Sequence, residues 1–236
     1  MNDIDWGRAG TFVLTVLTAW LATGALKAAG RMPCDVARKV NHVLALAGGA
    51  LWFGWLPERE AWASGVAAAA VLVGLAVVVC AFRQRFPFRY AFQANTRRSD
   101  APHEAFYFWS SWAITAGGLA GIHLAFEDLA VTRTAALLVG VGDGVAEPVG
   151  RRLGRHTYRV PSPAGGRAVR SVEGSVSVFL GCLAVLLACF GPGVLLAAVA
   201  LSLVLTAVEA VSPHGLDNLT IPVVAACCLR PALGVG

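Results

Sequence analysis

The 236-residue chain is short of charge, and among its charged residues it is short of lysine. Charged residues make up 14% of the sequence and hydrophobic residues 57%. An average soluble domain carries about 25% charged residues. A single soluble core of this size could not bury so much apolar surface. The composition therefore excludes a disordered chain, a fibrous chain and an ordinary cytosolic enzyme, and it predicts a polytopic membrane protein.

Several familiar catalytic signatures are also missing. The sequence contains no GxxxxGK[ST] phosphate-binding loop, no protein-kinase motif set, no GxSxG nucleophile turn and no HExxH zinc motif. Any phosphoryl transfer by this chain must therefore use a different scaffold. The first residues lack the positive region of a signal peptide, so we expect the first apolar run to be retained.

Eight apolar runs, several close to the length of a membrane-crossing helix, follow one another along the sequence. They predict an all-α polytopic membrane protein with about eight transmembrane helices, forming a single integral membrane domain over residues 1–236. The runs cover residues 10–28, 41–56, 64–82, 105–126, 129–148, 174–190, 192–210 and 218–235.

Basic residues concentrate in alternate loops between these runs. Most of the 19 Lys and Arg residues lie in or near the first, third and fifth loops. By the positive-inside rule, the odd-numbered loops are predicted to face the cytoplasm and both termini to lie outside. The cations of these loops are Lys27, Arg31, Arg38 and Lys39, then Arg83, Arg85, Arg89, Arg97 and Arg98, then Arg151, Arg152, Arg155, Arg159, Arg167 and Arg170.

The third loop interleaves arginines with aromatic residues between Arg83 and Arg98. Such a pattern can bind single-stranded nucleic acid. In a membrane protein it favours a position on the headgroup surface. We therefore predict no nucleic-acid partner.

Acidic residues inside or beside apolar runs are costly in lipid and are candidates for function. Five such residues lie near the ends of the fifth to seventh runs, on the predicted cytoplasmic side: Asp143, Glu147, Glu173, Glu209 and Asp217. The active site is therefore predicted on that side.

Asp143 lies between Gly142 and Gly144, where the fifth run is predicted to end. Flanking glycines suit an open backbone near a ligand. The carboxylate could hold Mg²⁺ while exposed N–H groups meet phosphate oxygens. The alternative is a glycine-rich helix end followed by a basic loop on anionic headgroups.

Two later segments also have alternative interpretations. Ser171 and Glu173 could cap a helix, or Glu173 could act as a metal ligand or base. Glu209 and Asp217 could line one cavity, or Asp217 could be the N-cap of the last span. An earlier segment, Arg38-Lys39 with His42, could be a site or only a positive-inside anchor.

Together these segments resemble the polyprenol kinase family, which includes dolichol kinase, phytol kinase and the CTP-dependent diacylglycerol kinase. The resemblance covers most of the chain, and its four motifs occur in the family's order. The segments are Arg38-Lys39 with His42 for R-K-x-x-H, residues 142–156 for GD-x-x-A-x-x-x-G-x-x-x-G-R, residues 170–175 for K-S-x-E/A-G-S and residues 209–222 for E-(A/S)-x(n)-D-N-x-x-x-P.

The resemblance implies a membrane-embedded enzyme that moves the γ-phosphate of a nucleotide, usually CTP, onto a lipid hydroxyl. It implies Mg²⁺ as cofactor, with Asp143, Glu173 and Asp217 as the catalytic and metal-binding carboxylates. The nucleotide-binding residues that it implies are Gly142, Gly144, Arg151, Arg152, Arg155, His156, Arg170, Ser171, Asn218, Lys39 and His42.

The expected partners are CTP or another nucleotide, a lipid alcohol of the polyprenol or phytol type, and membrane lipids, and a homo-oligomer is left open. The expected location is a bacterial or archaeal cell membrane. Two features depart from the family pattern. Arg170 stands where many members have Lys, and an insert-like stretch with Pro161, Pro163, Gly165 and Gly166 precedes it.

Three other functions are weighed against the kinase. A phosphatidate cytidylyltransferase would attack the α-phosphate, but its additional Lys- and Asp-rich motif is missing, since no Lys follows Lys39. A transporter would favour an internal repeat of broken helices, and the sequence has none. A non-catalytic scaffold is disfavoured because all three candidate carboxylates are retained.

Overall fold

The computed structural model describes residues 3–97, 100–161, 167–212 and 216–233. It divides the chain into two compact units, Met1–Ala116 and Gly117–Gly236. The single domain over residues 1–236 stays a prediction. Arg98, Pro163, Gly165, Gly166 and His214, which belong to predicted loops or motifs, lie outside the described residues.

The first unit consists of helices of unequal length. Helix α1 spans Trp6–Ala28, and Asp5 caps it by accepting the N–H of Arg8 at 2.9 Å. The other elements are α2 (Cys34–Val43), a π-helical turn (Leu44–Gly48) that continues into α3 (Gly49–Phe53), α4 (Glu58–Ala81), α5 (Phe88–Asn95) and α6 (Glu104–Phe126), within which the unit boundary falls.

Helix α1 forms the centre of this unit and packs against α2, α4 and α5. Gly24 allows α5 to approach closely, because a Cβ there would lie 1.9 Å from the carbonyl oxygen of Tyr90. The Nζ of Lys27 donates to the carbonyl oxygens of Gln93 and, at 2.9 Å, Thr96. The first and third basic loops therefore meet at one end of the unit, while the orientation of that end in a membrane stays a prediction.

The second unit contains the acidic motifs. Its elements are α7 (Leu129–Leu153), the strands β1 (Thr157–Pro161) and β2 (Arg167–Ser171), α8 (Val172–Phe190), a 3₁₀ turn (Pro192–Val194), α9 (Leu195–Val211) and α10 (Asp217–Leu233). The two strands form an antiparallel hairpin in which Tyr158 faces Arg170. This hairpin was not predicted from the sequence, where the stretch was interpreted as a basic loop.

Glycines set the close packing of α7 against α8. A Cβ on Gly142 would lie 2.9 Å from the sulfur of Cys182, and one on Gly174 would lie 3.0 Å from the carbonyl oxygen of Ala146. A Cβ on Gly150 would lie 2.8 Å from the hydroxyl of Ser171. The glycines of two motifs thus permit contact between two helices, which is their common use in membrane proteins.

The helical class is confirmed, and five helices in the described part of the chain are long and apolar enough to cross a membrane. They are α1, α4, α7, α8 and the Pro192–Val211 segment that contains α9. The second predicted run is divided by the π-helical turn, and the apolar part of α10, Asp217–Leu229, is shorter. The count of eight spans and the outside location of both termini stay predictions.

Candidate active site

Asp143 lies inside α7 and not at its end. The helix continues ten residues further, to Leu153, with Pro148 within it. The prediction of an open backbone at Gly142-Asp143-Gly144 is therefore wrong, because N–H groups in a helix interior bond within the helix. Gly142 faces the side chains of Cys182 and Val178, so it serves helix packing. The Asp143 carboxylate is buried and interacts with its surroundings.

The end of α7 carries exposed cations. Arg151 and Arg152 lie in its last turn, and Arg155 follows in the link to the hairpin. Arg151 forms an ion pair with Glu147 one turn earlier, with 3.2 Å between the two charged groups. These arginines are placed where an anion in water can reach them, as expected for residues that bind a polyphosphate.

His156 and Glu173 form a pair where the hairpin meets α8. The Nδ1 of His156 lies 2.9 Å from an oxygen of Glu173, and the His156 N–H approaches the same carboxylate at 3.3 and 3.4 Å. The side chain of His156 is 79% exposed and that of Glu173 26%. Glu173 thus orients the imidazole and leaves its other nitrogen toward solvent.

Ser171 is the N-cap of α8, since its hydroxyl accepts the N–H of Gly174 at 3.1 Å. The capping interpretation of this residue is confirmed. A second tether joins the hairpin to the same helix, where the hydroxyls of Tyr158 and Ser175 lie 2.7 Å apart. Burial raises the pKa of Tyr158, so its hydroxyl stays protonated at neutral pH.

Arg170 joins the hairpin to α9 and α10. Its guanidinium donates to both the carboxylate and the backbone carbonyl of Glu209. It also donates to the Ser212 carbonyl at 3.2 Å and to the Asp217 carboxylate at 3.3 Å. All three charged side chains are largely buried, with exposures of 11% for Arg170, 7% for Glu209 and 15% for Asp217. Arg170 is therefore engaged with protein acceptors on two helices.

Asp217 begins α10 and has two separate contacts. One carboxylate oxygen pairs with Arg170, and the other accepts the N–H of Asn218 at 3.0 Å. The amide side chain of Asn218 is buried. Ser212 and Thr220 join the two helices at the same point through hydroxyls 2.6 Å apart.

Lys39 and His42 lie in the first unit, on α2. Lys39 is buried, and the side chains of Lys39 and His42 both take part in interactions. Their neighbour Asn41 is fully buried and donates to the hydroxyl of Thr23 at 3.1 Å. The R-K-x-x-H segment is thus a packed helix with polar groups inside the unit.

The three candidate metal-binding carboxylates do not form one cluster. Among the described residues, no three or more His, Cys, Asp or Glu side chains form a group that could hold a metal ion. Glu173 is bonded to His156, whereas Asp143 and Asp217 lie on α7 and α10, which pack together. Mg²⁺ needs only one or two carboxylates when substrate phosphates and water complete its shell. The residues therefore fit a metal shared with a nucleotide and not a cage of three carboxylates.

Two participants were not assigned a role from the sequence. Glu209 was noticed as an acidic residue in an apolar run, but its bond to Arg170 crosses from α9 to the hairpin and has no sequence signature. Tyr158 carried no signal, because the hairpin that directs it toward Ser175 was not predicted.

No family model and no solved structure matches the chain. A curated relative named phytol kinase, from Synechocystis sp., is 30% identical over 224 residues, which cover 92% of this chain and 86% of the relative.

The fold and the site define a helical membrane-type protein with an arginine- and carboxylate-lined hairpin region. The chain belongs to the polyprenol kinase family, in which its relative is a phytol kinase. The family resemblance that the motifs indicated is confirmed.

Proposed function

We propose that the protein is a CTP-dependent lipid-alcohol kinase that transfers the γ-phosphate to a polyprenol- or phytol-type hydroxyl. The observation that supports this most is the similarity to a phytol kinase across nearly the whole chain. The five long apolar helices support a lipid acceptor, because such a substrate reaches a membrane-embedded site from within the bilayer.

In this proposal the nucleotide enters from the cytoplasm and docks at the end of α7. Arg151, Arg152 and Arg155 are exposed there and neutralise the phosphates bidentately. Asn218, at the start of α10, completes the nucleotide contacts as its family motif implies. Positioning and electrostatic stabilisation supply most of the catalysis in phosphoryl transfer.

Asp143 and Asp217 are the residues proposed to hold Mg²⁺ together with the nucleotide phosphates. When bound, the metal neutralises charge on the transferring phosphoryl group. Glu173 is not proposed as a metal ligand, because its carboxylate already accepts hydrogen bonds from His156.

The lipid hydroxyl attacks the γ-phosphorus, the bond to the β–γ bridging oxygen breaks, and CDP leaves. The hydroxyl proton passes to the His156–Glu173 pair, whose outer imidazole nitrogen faces solvent. The outer imidazole nitrogen accepts the proton, and the Glu173 carboxylate beside Nδ1 stabilises the imidazolium that forms.

The test is Asp143→Asn in purified protein in detergent with γ-labelled CTP, Mg²⁺ and phytol. We expect transfer to fall by at least about 100-fold, because loss of a metal-binding carboxylate removes transition-state stabilisation. Unchanged yield and unfolding temperature control for insertion. Full activity of this variant contradicts the assignment of Asp143.

A further inference from the structure

Arg170 has a different role from the one that its position in the family motif implies. We infer that Arg170, held by Glu209, is a positioning residue that fixes Asp217, and that it does not bind the nucleotide. This inference rests on the proposed function, since Asp217 is placed there at the metal and phosphates.

The contacts of Arg170 leave little of it for a ligand. Its two terminal nitrogens donate to Glu209, Ser212 and Asp217, and its side chain is only 11% exposed. A phosphate would have to displace a buried carboxylate to reach it. Removing one partner of a buried charge pair is strongly destabilising.

The contacts of Arg170 with Glu209 indicate that Arg170 positions Asp217 and not the reverse. One terminal nitrogen of Arg170 donates to the carboxylate and the backbone carbonyl of Glu209, so the guanidinium is held at α9. Its other terminal nitrogen donates to one carboxylate oxygen of Asp217, and the Asn218 N–H donates to the second oxygen. Both oxygens of the carboxylate are thereby given defined positions.

Lysine and arginine at position 170 differ in the number of carboxylates that each can bind at once. An ammonium is a point charge that can pair with Glu209 or Asp217, but it lacks the planar fork that reaches both. Family members with Lys here would retain the charge and lose part of the fixation. Arg170→Lys is therefore an intermediate variant.

The experiment is a double-mutant cycle with Arg170→Met and Asp217→Asn, in purified protein with CTP and phytol. If Arg170 acts through Asp217, Arg170→Met lowers kcat about tenfold or more with the KM for CTP within about twofold. In the Asp217→Asn background the same change has little further effect. Arg170→Lys falls between the two.

Hydrogen exchange gives a readout that does not need activity. The peptide covering residues 216–220 should exchange faster in Arg170→Met than in the wild type, because the Asn218 amide loses its fixed acceptor. Arg167→Met, an exposed arginine on the same strand, should leave this exchange unchanged.

The outcomes separate the two claims. A raised KM for CTP with unchanged kcat, equal in both backgrounds, shows a nucleotide ligand and overturns the inference. Wild-type protein that transfers no phosphate contradicts the proposed function, and the exchange result still decides whether Arg170 fixes Asp217.

A second and independent observation concerns the first unit, at residues 82–90, here called the arginine–aromatic patch. Arg85 lies 5.6 Å from the centre of the Phe82 ring, and Arg89 lies 4.8 Å from that of Tyr90. Arg83, Arg85 and Arg89 are exposed, and within the described residues none pairs with a carboxylate. We propose that this patch binds the headgroups of anionic phospholipids.

The patch is a fixed surface and not a loose tail. Helix α5 begins within the patch and buries Ala91 and Ala94 completely. Its backbone at Tyr90 lies against Gly24 of α1. Phe86 is 74% exposed and Phe82 43% exposed beside the arginines. A soluble nucleotide would leave these rings in water, whereas a phospholipid covers them with its glycerol and acyl region.

The opposite end of the unit has a different charge balance. There Arg8 pairs with Asp5 at 3.8 Å, and Glu58 and Glu60 flank Arg59. Unbalanced positive charge is thus found at the end of the unit that carries the patch, and it complements a negative membrane surface.

Thermal unfolding of the purified protein in detergent tests this with phosphatidylglycerol and phosphatidylcholine as probes. Phosphatidylglycerol should raise the midpoint of the wild type by several degrees more than phosphatidylcholine does. Arg85→Gln with Arg89→Gln should abolish that difference, and Arg59→Gln at the other end should preserve it. Equal responses to both lipids in the wild type, or an unchanged difference in the double variant, overturns the proposal. A CTP-dependent rise of the midpoint that is lost in the double variant assigns the patch to the nucleotide and also overturns the proposal.

Discussion

The two charged pairs that flank the hairpin differ in burial and in number of partners. His156 and Glu173 form an exposed pair, with 79% and 26% of their side chains accessible. Arg170 and Glu209 form a buried pair, with 11% and 7% accessible, and they include Asp217 and a backbone carbonyl. An exposed pair exchanges its partner for water or substrate at low cost. The buried pair holds its geometry, so the first is suited to chemistry and the second to positioning.

Removing Glu209 tests the buried side of this comparison and should have the largest effect. Glu209→Ala leaves the Arg170 guanidinium without its main buried acceptor, and we expect a loss of about 3 kcal/mol in the free energy of unfolding. Denaturant unfolding followed by far-ultraviolet circular dichroism measures it, because all seven tryptophans lie in the first unit and do not report on the hairpin. A loss no larger than that of an exposed variant such as Arg159→Ala contradicts the view that this pair is structural.

The glycine contact that fixes the hairpin to α7 should be the next most sensitive. A Cβ at Gly154 would lie 2.1 Å from the Gly150 carbonyl oxygen and 2.8 Å from the Ser171 Cβ. Gly154→Ala should therefore destabilise the protein by about 2 kcal/mol, the cost of overpacking. Gly74→Ala is the matched control, because a Cβ there meets nothing within 4 Å. Equal stability of the two variants would show that the contact is loose.

The hydroxyl tether between the hairpin and α8 should have a smaller effect. Tyr158→Phe removes the 2.7 Å hydrogen bond to Ser175 and should cost about 1 kcal/mol. The same unfolding measurement applies, with Tyr90→Phe as a comparison, because the Tyr90 hydroxyl makes an exposed hydrogen bond with Arg89. A stability equal to the wild type would mean that the hairpin is held by Arg170 and Ser171 alone.

The exposed pair should contribute least to stability while mattering for turnover. Glu173→Gln should leave the unfolding midpoint unchanged, because water replaces the pair at the surface. Phosphate transfer should nevertheless fall about tenfold or more, since the imidazole loses its orienting carboxylate. A shifted midpoint with normal transfer would reverse the comparison between the two pairs.

Much of the architecture could be predicted from hydrophobic runs. Long apolar segments specify helices by composition, and the alternation of basic loops agrees with the meeting of the first and third loops in the first unit. Helix ends were less predictable, because Pro148 was treated as an end and α7 continues to Leu153. A proline inside a helix is tolerated where neighbouring helices support the backbone.

The site was predictable only as a set of residues. The motifs identified Asp143, Glu173 and Asp217 as candidate site residues, but they could not predict which residues surround each carboxylate. That distinction depends on the hairpin, which places Arg170 beside Asp217 and His156 beside Glu173. Such contacts join residues 17 to 47 positions apart, so no local sequence pattern predicts them.

The proposed reaction moves the γ-phosphate of a nucleotide onto a lipid alcohol. The direct measurement offers purified protein γ-labelled and α-labelled CTP in parallel, with Mg²⁺ and a panel of phytol, polyprenol, diacylglycerol and phosphatidate. We expect label from the γ position in phytol or polyprenol and none from the α position. Label from the α position on phosphatidate would instead show a cytidylyltransferase and contradict the proposed kinase reaction.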